Sequence, residues 1–182
     1  MKKMMIAAFA LAAIAISPKV NAQTKMVGGA AMYPTKNIVQ NAVNSKDHTT
    51  LVAAVKAAGL VETLESAGPF TVFAPTNEAF GKLPEGTVDN LVKPENKATL
   101  TKILTYHVVA GRMSSGDLWA KVKAGNGKAE LKTVEGGTLM VMAQGKKLYL
   151  VDEKGGKSWI TIADVNQSNG VIHVVNTVLM PD

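Results

Sequence analysis

The spacing of hydrophobic residues changes character near residue 129. From Thr35 to about residue 124, most apolar positions recur three and four residues apart, the period of an α-helix with one buried face. From Ala129 onward the period is about two, which predicts strands at 129–134, 138–143, 147–152, 158–165 and 171–178. Helices followed by a meander of strands predict an α+β domain whose sheet is mostly antiparallel and partly covered by helices.

Capping residues mark where the predicted helices begin and end. Thr35 is a candidate N-cap for the first helix, and Thr49 or Thr50 for the second. Gly59 stands where a helix needs a left-handed C-terminal residue, and one more helical turn is expected over 60–64. Later prolines separate two further helical pieces, and a short helix is predicted over 117–122.

Two short strands interrupt the helical half. The β-branched and aromatic run 70–74 is bounded by prolines, and Thr76 directly after it is a candidate cap for the next helix. A second strand is expected to open at Tyr106-His107-Val108-Val109. Among the predicted hairpins, Asn169-Gly170 has the strongest signal and is expected to form a type I′ turn.

The first 22 residues have the order of a secretory signal. Two lysines precede an apolar run from Met4 to Ile16, and Val20-Asn21-Ala22 supplies the small residues that a signal peptidase reads. The apolar run is shorter than the roughly 20 residues that a spanning helix needs. We therefore predict a signal peptide over 1–22, cleaved after Ala22, and a secreted or periplasmic protein. Residues 23–34 are expected to be an extended lead-in.

Charge and cysteine content narrow the classes of function. The formal charge of +6 falls to +3 without Lys2, Lys3 and Lys19, because no acidic residue precedes Ala22. The remaining lysines are scattered and are not interleaved with aromatic residues, a pattern that argues against a nucleic-acid partner. The chain has no cysteine, so disulfides and a lipid-modified cysteine are excluded. No membrane span or lipid anchor is predicted.

Three motifs in order carry a resemblance to a known family. The segment GPFTVFAPTNEAF at 68–80 and the segment NGVIHVVNTVLMP at 169–181 resemble the two signature blocks of fasciclin-1 (FAS1) domains, and Tyr106-His107 between them resembles the family's Tyr-His motif. The resemblance covers roughly Thr35 to Pro181, which places a fasciclin-1 domain at 35–182. It implies a compact, twisted, mostly antiparallel β-sheet wedge with several helices packed on one side.

The resemblance also implies a function. Fasciclin-1 domains are extracellular modules associated with cell–cell and cell–matrix contact, so a protein or polysaccharide at a cell surface or in a matrix is the expected partner. Two motifs of animal members fall on Tyr106-His107 and on Asp164-Val165, which become the candidate binding residues. The chain departs from the fuller animal motif at Ala163 and Asn166, where that motif has proline and methionine, and it has no Arg-Gly-Asp.

The histidines are predicted to be structural. His48, His107 and His173 lie about 60 residues apart, without the short ligand pair of a metal site, so no metal and no cofactor are predicted. His107 and His173 are expected to bond to backbone or hydroxyl groups in the core. His107 is expected to support the fold around the Tyr-His pair.

Two alternative functions stay open at this point. Some relatives of this fold carry carotenoid-like apolar ligands, and methionines such as Met26, Met32, Met140 and Met142 are candidates to line an apolar groove, although Met140 and Met142 are expected to be core residues. An envelope enzyme is the other alternative, with possible convergence of four carboxylates (Asp117, Asp152, Glu153 and Asp164). No nucleophile motif is present, so we predict that the protein is not an enzyme.

Overall fold

The structure is a computed structural model that describes residues 23–182. The predicted signal peptide lies outside these residues. The strands are β1 (Lys25–Val27), β2 (Ala30–Met32), β3 (Phe70–Pro75), β4 (Val108–Ala110), β5 (Lys128–Lys132), β6 (Thr138–Gln144), β7 (Lys147–Val151), β8 (Lys157–Gln167) and β9 (Gly170–Val175). The α-helices are α1 (Ile38–Ala42), α2 (Thr49–Ala58), α3 (Val61–Glu65), α4 (Asn77–Gly81), α5 (Thr87–Leu91), α6 (Lys97–Tyr106) and α7 (Ser115–Ala124).

Seven strands form one sheet in the order β4-β3-β9-β8-β7-β6-β5. Every neighbouring pair in this sheet is antiparallel except β3 and β9, which run parallel from Phe70 opposite Gly170 to Pro75 opposite Val175. The α+β prediction is therefore confirmed. The two segments that resemble signature blocks pair with each other as the second and third strands of the sheet.

The two faces of β3 contribute to two separate hydrophobic clusters. Val72 and Ala74 join the first, which the helices α1 to α4 and α6 cover, whereas Phe73 joins the second. Leu118 of α7 packs into the second cluster together with the inner residues of β5, β6 and β7. Because both faces of β3 are covered, five of its six residues are buried, and its sequence is almost continuously apolar.

Methionines 140 and 142 are not core residues, contrary to expectation. Strand β6 buries Leu139 and Val141, and the alternation of a strand therefore turns Met140 and Met142 to the opposite, half-buried face. Met142 lies opposite Tyr149, whose hydroxyl contacts the methionine sulfur at 3.5 Å. The alternation alone did not indicate which face of β6 the core covers.

The helix caps agree with the sequence in part. Gly59 ends α2 with a φ of 73°, and the Thr76 hydroxyl accepts the Ala79 N–H at 3.2 Å, as predicted. The first helix is capped by Asn37 instead of Thr35, because Asn37 and Gln40 satisfy each other's backbone N–H groups in a capping box. Helix α7 is longer than the predicted 117–122 because a capping box at Ser114 starts it earlier.

The expected type I′ turn at Asn169-Gly170 is not formed. Gln167 pairs with Gly170, so the loop residues are Ser168 and Asn169, and neither has a positive φ. Instead, the Asn169 side chain accepts the Ile38 N–H at 3.0 Å and donates to the carbonyls of Leu64 and Ser66. Asn169 thus ties the sheet to the helices.

Glycine at position 170 serves close strand packing. A Cβ atom there would stand 2.3 Å from the Phe70 carbonyl oxygen of β3. The parallel pairing of β3 with β9 therefore depends on the missing side chain.

The segment 23–34 folds as a hairpin. Val27 of β1 pairs with Ala30 of β2 across Gly28-Gly29, and both glycines have positive φ, the combination that a type I′ turn requires. Val27 and Met32 are buried in the first cluster, so the hairpin packs on the domain.

Candidate functional site

Tyr106 is the last residue of α6, and its side chain is fully buried. The phenol hydroxyl donates to the Thr138 carbonyl at 2.7 Å and accepts the Glu153 N–H at 3.2 Å. Burial raises the pKa of Tyr106 to about 12, so the hydroxyl keeps its proton over the whole neutral range. Tyr106 therefore connects α6 to the start of β6, at Thr138, and to the residues that follow β7, at Glu153.

His107 follows at the boundary between α6 and β4, where it is 2% exposed. Its Nδ1 lies 2.8 Å from the Ile103 carbonyl, and its Nε2 accepts the Leu179 N–H at 3.0 Å. These partners fix the neutral tautomer that carries its proton on Nδ1. Burial lowers the pKa of His107 to about 4. The predicted backbone hydrogen bonds are confirmed, and we call Tyr106 and His107 the Tyr–His cluster.

Asp164 lies in a distorted part of β8, where the register against β9 shifts between Ile162 and Val165, and it has a φ of 55°. Its carboxylate accepts the N–H of Ser115, the first residue of α7, at 2.6 Å and also bonds the Ser115 hydroxyl. A carboxylate at this position stabilises the positive end of the helix dipole. The neighbouring Val165 is 1% exposed and packs in the first cluster.

His173 links Asp164 to the same end of α7. Its Nε2 lies 2.9 Å from the Met113 carbonyl, its Nδ1 accepts the Asp164 N–H at 3.3 Å, and its ring stacks on Phe73. Burial lowers the pKa of His173. Hydrogen bonds to the backbone are again confirmed, and they specify the neutral ring.

The two predicted binding motifs are not brought together. Val108, next to His107, pairs with Val72, which pairs with Ile172, which pairs with Val165. Three strand spacings of roughly 4.8 Å therefore separate the motifs, about 14 Å in all. They flank the parallel pair of strands from opposite sides and do not form one site.

The four carboxylates named above as candidates for an enzyme all accept hydrogen bonds from backbone N–H groups. Asp152 accepts the N–H groups of Gly156 and Met180, and Glu153 those of Thr138 and Asp182. Asp117 closes the capping box of α7, and Asp164 holds Ser115. Within residues 23–182 there is no cluster of three or more acidic or histidine side chains that could hold a metal ion.

An apolar cavity of about 70 Å³ lies between the hairpin, α1, α2 and the sheet. Aliphatic side chains form most of its wall, among them Met32, Val55 and Ile172. His48 is also at this wall. Its Nδ1 lies 2.8 Å from the Ser45 hydroxyl, whereas its buried Nε2 has no hydrogen-bond partner in the described part of the chain.

A larger and more polar groove opens where β7 and β8 diverge. The two strands pair only from Tyr149 opposite Trp159 to Val151 opposite Lys157, and β8 then continues along β9. The gap has a volume of about 710 Å³, and α7 contributes Ser115 and Trp119 to it. We call it the β7–β8 groove; its other lining residues are Lys146, Lys147, Leu148, Trp159, Ile160, Thr161, Ala163 and Asn176. No sequence motif indicated this groove.

The fold and these sites define a class of protein: an α+β domain in which the recognisable polar residues maintain the structure. The FAS1 domain pair of the insect cell adhesion molecule Fasciclin I shares this fold, with a TM-score of 0.56 at 22% identity, over 71% of this chain and 43% of that chain. The profile described as "Fasciclin domain" matches residues 46–181. The chain belongs to the fasciclin family.

Two bacterial relatives resemble almost the whole chain. "Protein sll1483" of Synechocystis is 45% identical over 159 residues, which cover 87% of this chain and 81% of that protein. "Immunogenic protein MPB70" of Mycobacterium bovis is 34% identical over 194 residues, which cover 96% of this chain and 92% of that protein. In the described residues, no helix is both long and apolar enough to cross a membrane.

Proposed function

We propose that this chain is an exported, non-catalytic recognition module that binds a protein or polysaccharide at a cell surface or in a matrix. Family membership supports the proposal, because the FAS1 fold neighbour belongs to a cell adhesion molecule. The composition supports export, since residues 1–22 have the pattern of a signal peptide.

One observation carries the non-catalytic part of the proposal. Among the groups with the chemistry for proton transfer, the Tyr106 hydroxyl, both ring nitrogens of His107 and the Asp164 carboxylate have hydrogen-bond partners inside the domain. The Nε2 atom of His48 has no partner within residues 23–182, but His48 is only 2% exposed. A catalytic group must reach the substrate directly or through one water molecule. These groups instead hold backbone segments in place.

We assign Tyr106, His107, Asp164 and Val165 a positioning role in recognition. The first two fix the junction of α6 and β4, and the last two fix the start of α7 and the β8–β9 pairing. Each of these four residues therefore affects binding indirectly, because it fixes the conformation of the surface that contacts the partner. Substitution of these residues is expected to impair binding in proportion to the loss of folded protein.

Retention of cells or matrix tests the proposal. Immobilised protein spanning residues 23–182 is expected to retain cells of the source organism, or its isolated envelope polysaccharide, above an albumin surface. A folded Tyr106→Phe variant is expected to retain them equally well. Equal retention by the protein and by albumin would refute the proposal, and weaker retention by fully folded Tyr106→Phe protein would refute the positioning role of Tyr106.

Export is tested by the N-terminus of the natural product. Protein secreted or released from the periplasm is expected to begin at Gln23 in intact-mass measurement. Recovery of the uncleaved chain in the cytoplasmic fraction alone would contradict the proposed location.

The apolar cavity favours a second candidate, the carrier of an apolar ligand. At about 70 Å³ the cavity is smaller than the roughly 150 Å³ that holds benzene in an engineered protein core. A carotenoid would require the hairpin β1–β2 to move away from α1 and α2. Protein purified from the source organism would then absorb visible light, and a colourless preparation would reject the carotenoid version.

A further inference from the structure

We infer that the β7–β8 groove binds an acidic oligosaccharide, with sugar rings against its two tryptophans and sugar carboxylates on its lysines. The inference rests on the proposed function and names the class of partner. The groove has a volume of about 710 Å³, which lies within the range of roughly 300–1,000 Å³ that is typical of small-molecule sites.

The aromatic groups point to a ligand with flat apolar faces and polar edges. Trp119 on α7 and Trp159 on β8 both line the groove and are half-buried. The Trp159 ring packs at a tilt of 41° against Tyr149, with 4.9 Å between the ring centroids. Indole combines a large apolar face with one N–H donor. A pyranose ring matches this combination, because its C–H groups form a face and its hydroxyls surround it.

The charges in the groove point to an anion. Lys146 and Lys147 line it and are exposed, and no lining residue is acidic. Three charged groups bond to lining residues from outside the lining. Lys25 and Lys82 donate at 2.5 Å to the carbonyls of Ala163 and Asn176, and the Asp164 carboxylate accepts from Ser115, so the balance of these charges is positive. The one ion pair within residues 23–182 is Lys102–Glu135, so the groove lysines have no carboxylate partner there.

The polar side chains suit hydroxyl groups. Thr161 is exposed at the groove. The side-chain oxygen of Asn176 accepts the backbone N–H of Trp159 at 2.9 Å, which leaves the Asn176 NH₂ group as a donor. Lysine binds carboxylates and phosphates alike as a point charge, so the aromatic faces in the lining, and not the ammonium groups, favour a sugar over a polyphosphate.

Intrinsic fluorescence offers a direct measurement, because Trp119 and Trp159 are the only two tryptophans of the chain and both line the groove. Titration of residues 23–182 with a short oligogalacturonate is expected to change the tryptophan emission to saturation. A neutral maltooligosaccharide of equal length is expected to bind at least about tenfold more weakly, since it lacks the carboxylates. An unchanged emission together with no heat of binding would overturn the inference.

Charge reversal with a matched control separates the groove from general attraction. Lys146→Glu with Lys147→Glu is expected to weaken oligogalacturonate binding at least about tenfold. Lys56→Glu with Lys93→Glu changes the net charge equally on exposed residues of the helical layer, and is expected to leave binding within about threefold. If both double variants weakened oligogalacturonate binding equally, the attraction would be non-specific and the groove would be rejected as the site.

Trp159→Phe keeps an aromatic ring on Tyr149 and leaves Trp119 as the fluorescent reporter. This variant is also expected to bind oligogalacturonate more weakly.

Oligoglutamate and a single-stranded oligonucleotide of equal charge test the other classes of acidic polymer. Tighter binding of either would overturn the assignment to sugar. Absence of sugar binding with continued retention of cells would reject the groove alone. Absence of both would reject the groove and the proposed function together.

Discussion

The Tyr–His cluster and the β7–β8 groove differ in the burial and the hydrogen-bond partners of their polar groups. In the cluster, the Tyr106 hydroxyl and both nitrogens of His107 are buried and bonded to backbone partners. In the groove, the ammonium groups of Lys146 and Lys147 face solvent without a carboxylate. Buried polar groups are costly without partners, whereas exposed ones are free to bind another molecule. The motif that is easiest to recognise in the sequence is therefore the less available for contact.

The largest expected effect concerns Asn169, which belongs to the buried type of polar residue. Asn169→Ala leaves the Ile38 N–H and the carbonyls of Leu64 and Ser66 without their partner. We expect the free energy of unfolding to fall by about 4 kcal/mol, as measured by urea denaturation. Asn90→Ala is the control, because Asn90 is exposed and is expected to change stability by less than about 0.5 kcal/mol. Similar losses at both positions would contradict the assignment.

The next effect is a loss of stability in acid. The pKa of His107 is 6.5 in the unfolded chain and about 4 in the folded domain, so the unfolded chain binds the proton more readily. Neutral His107 contributes about 3 kcal/mol to the free energy of unfolding. This contribution is fully present above pH 6.5 and is lost as the pH falls toward 4. His48 and His173 add a loss of the same sign.

Urea denaturation at a series of pH values between 7 and 4 measures this loss. His107→Gln keeps a donor and an acceptor but does not titrate, and its stability is expected to depend less steeply on pH. Equal slopes for the variant and the wild-type protein would exclude His107 as a source of the acid sensitivity.

Removal of the Tyr106 hydroxyl has a smaller expected effect. Tyr106→Phe keeps the buried ring but leaves the Thr138 carbonyl and the Glu153 N–H without that partner. We expect a loss of about 2 kcal/mol by thermal and urea denaturation. Tyr33→Phe is the control, because Tyr33 is 46% exposed and its change is expected to be within about 0.5 kcal/mol. No loss with Tyr106→Phe would mean that the Tyr–His cluster is not a structural element.

The smallest expected change of stability is in the groove. Lys146→Glu with Lys147→Glu alters two exposed residues and is expected to change the free energy of unfolding by less than about 0.5 kcal/mol. The same pair carries the expected loss of sugar binding. A large loss of stability would contradict the contrast between the two regions.

The sequence predicted the parts of the fold that depend on local pattern. The two-residue period of the strands, the left-handed Gly59 and the Thr76 cap follow from the residues themselves, because they rest on backbone conformation and neighbouring hydrogen bonds. The resemblance of 68–80 and 169–181 to fasciclin-1 blocks also identified the family.

Tertiary structure decided what depends on residues distant in the chain. Asn169-Gly170 has the local signal of a type I′ turn, but long-range bonds from Asn169 and the close approach of Phe70 to Gly170 set its conformation. The face of β6 that Met140 occupies was likewise set by which side α7 and its neighbours cover.

The candidate sites divide in the same way. Sequence determined the residue types at Tyr106, His107 and Asp164, and with them the chemistry that each side chain has available. Only the fold determined that these side chains are turned inward, and only the divergence of β7 from β8 brought Trp119 and Trp159 into the lining of one groove. The physical reason is that burial and proximity are properties of the packed chain, and residues 40 positions apart leave no spacing signal in the sequence.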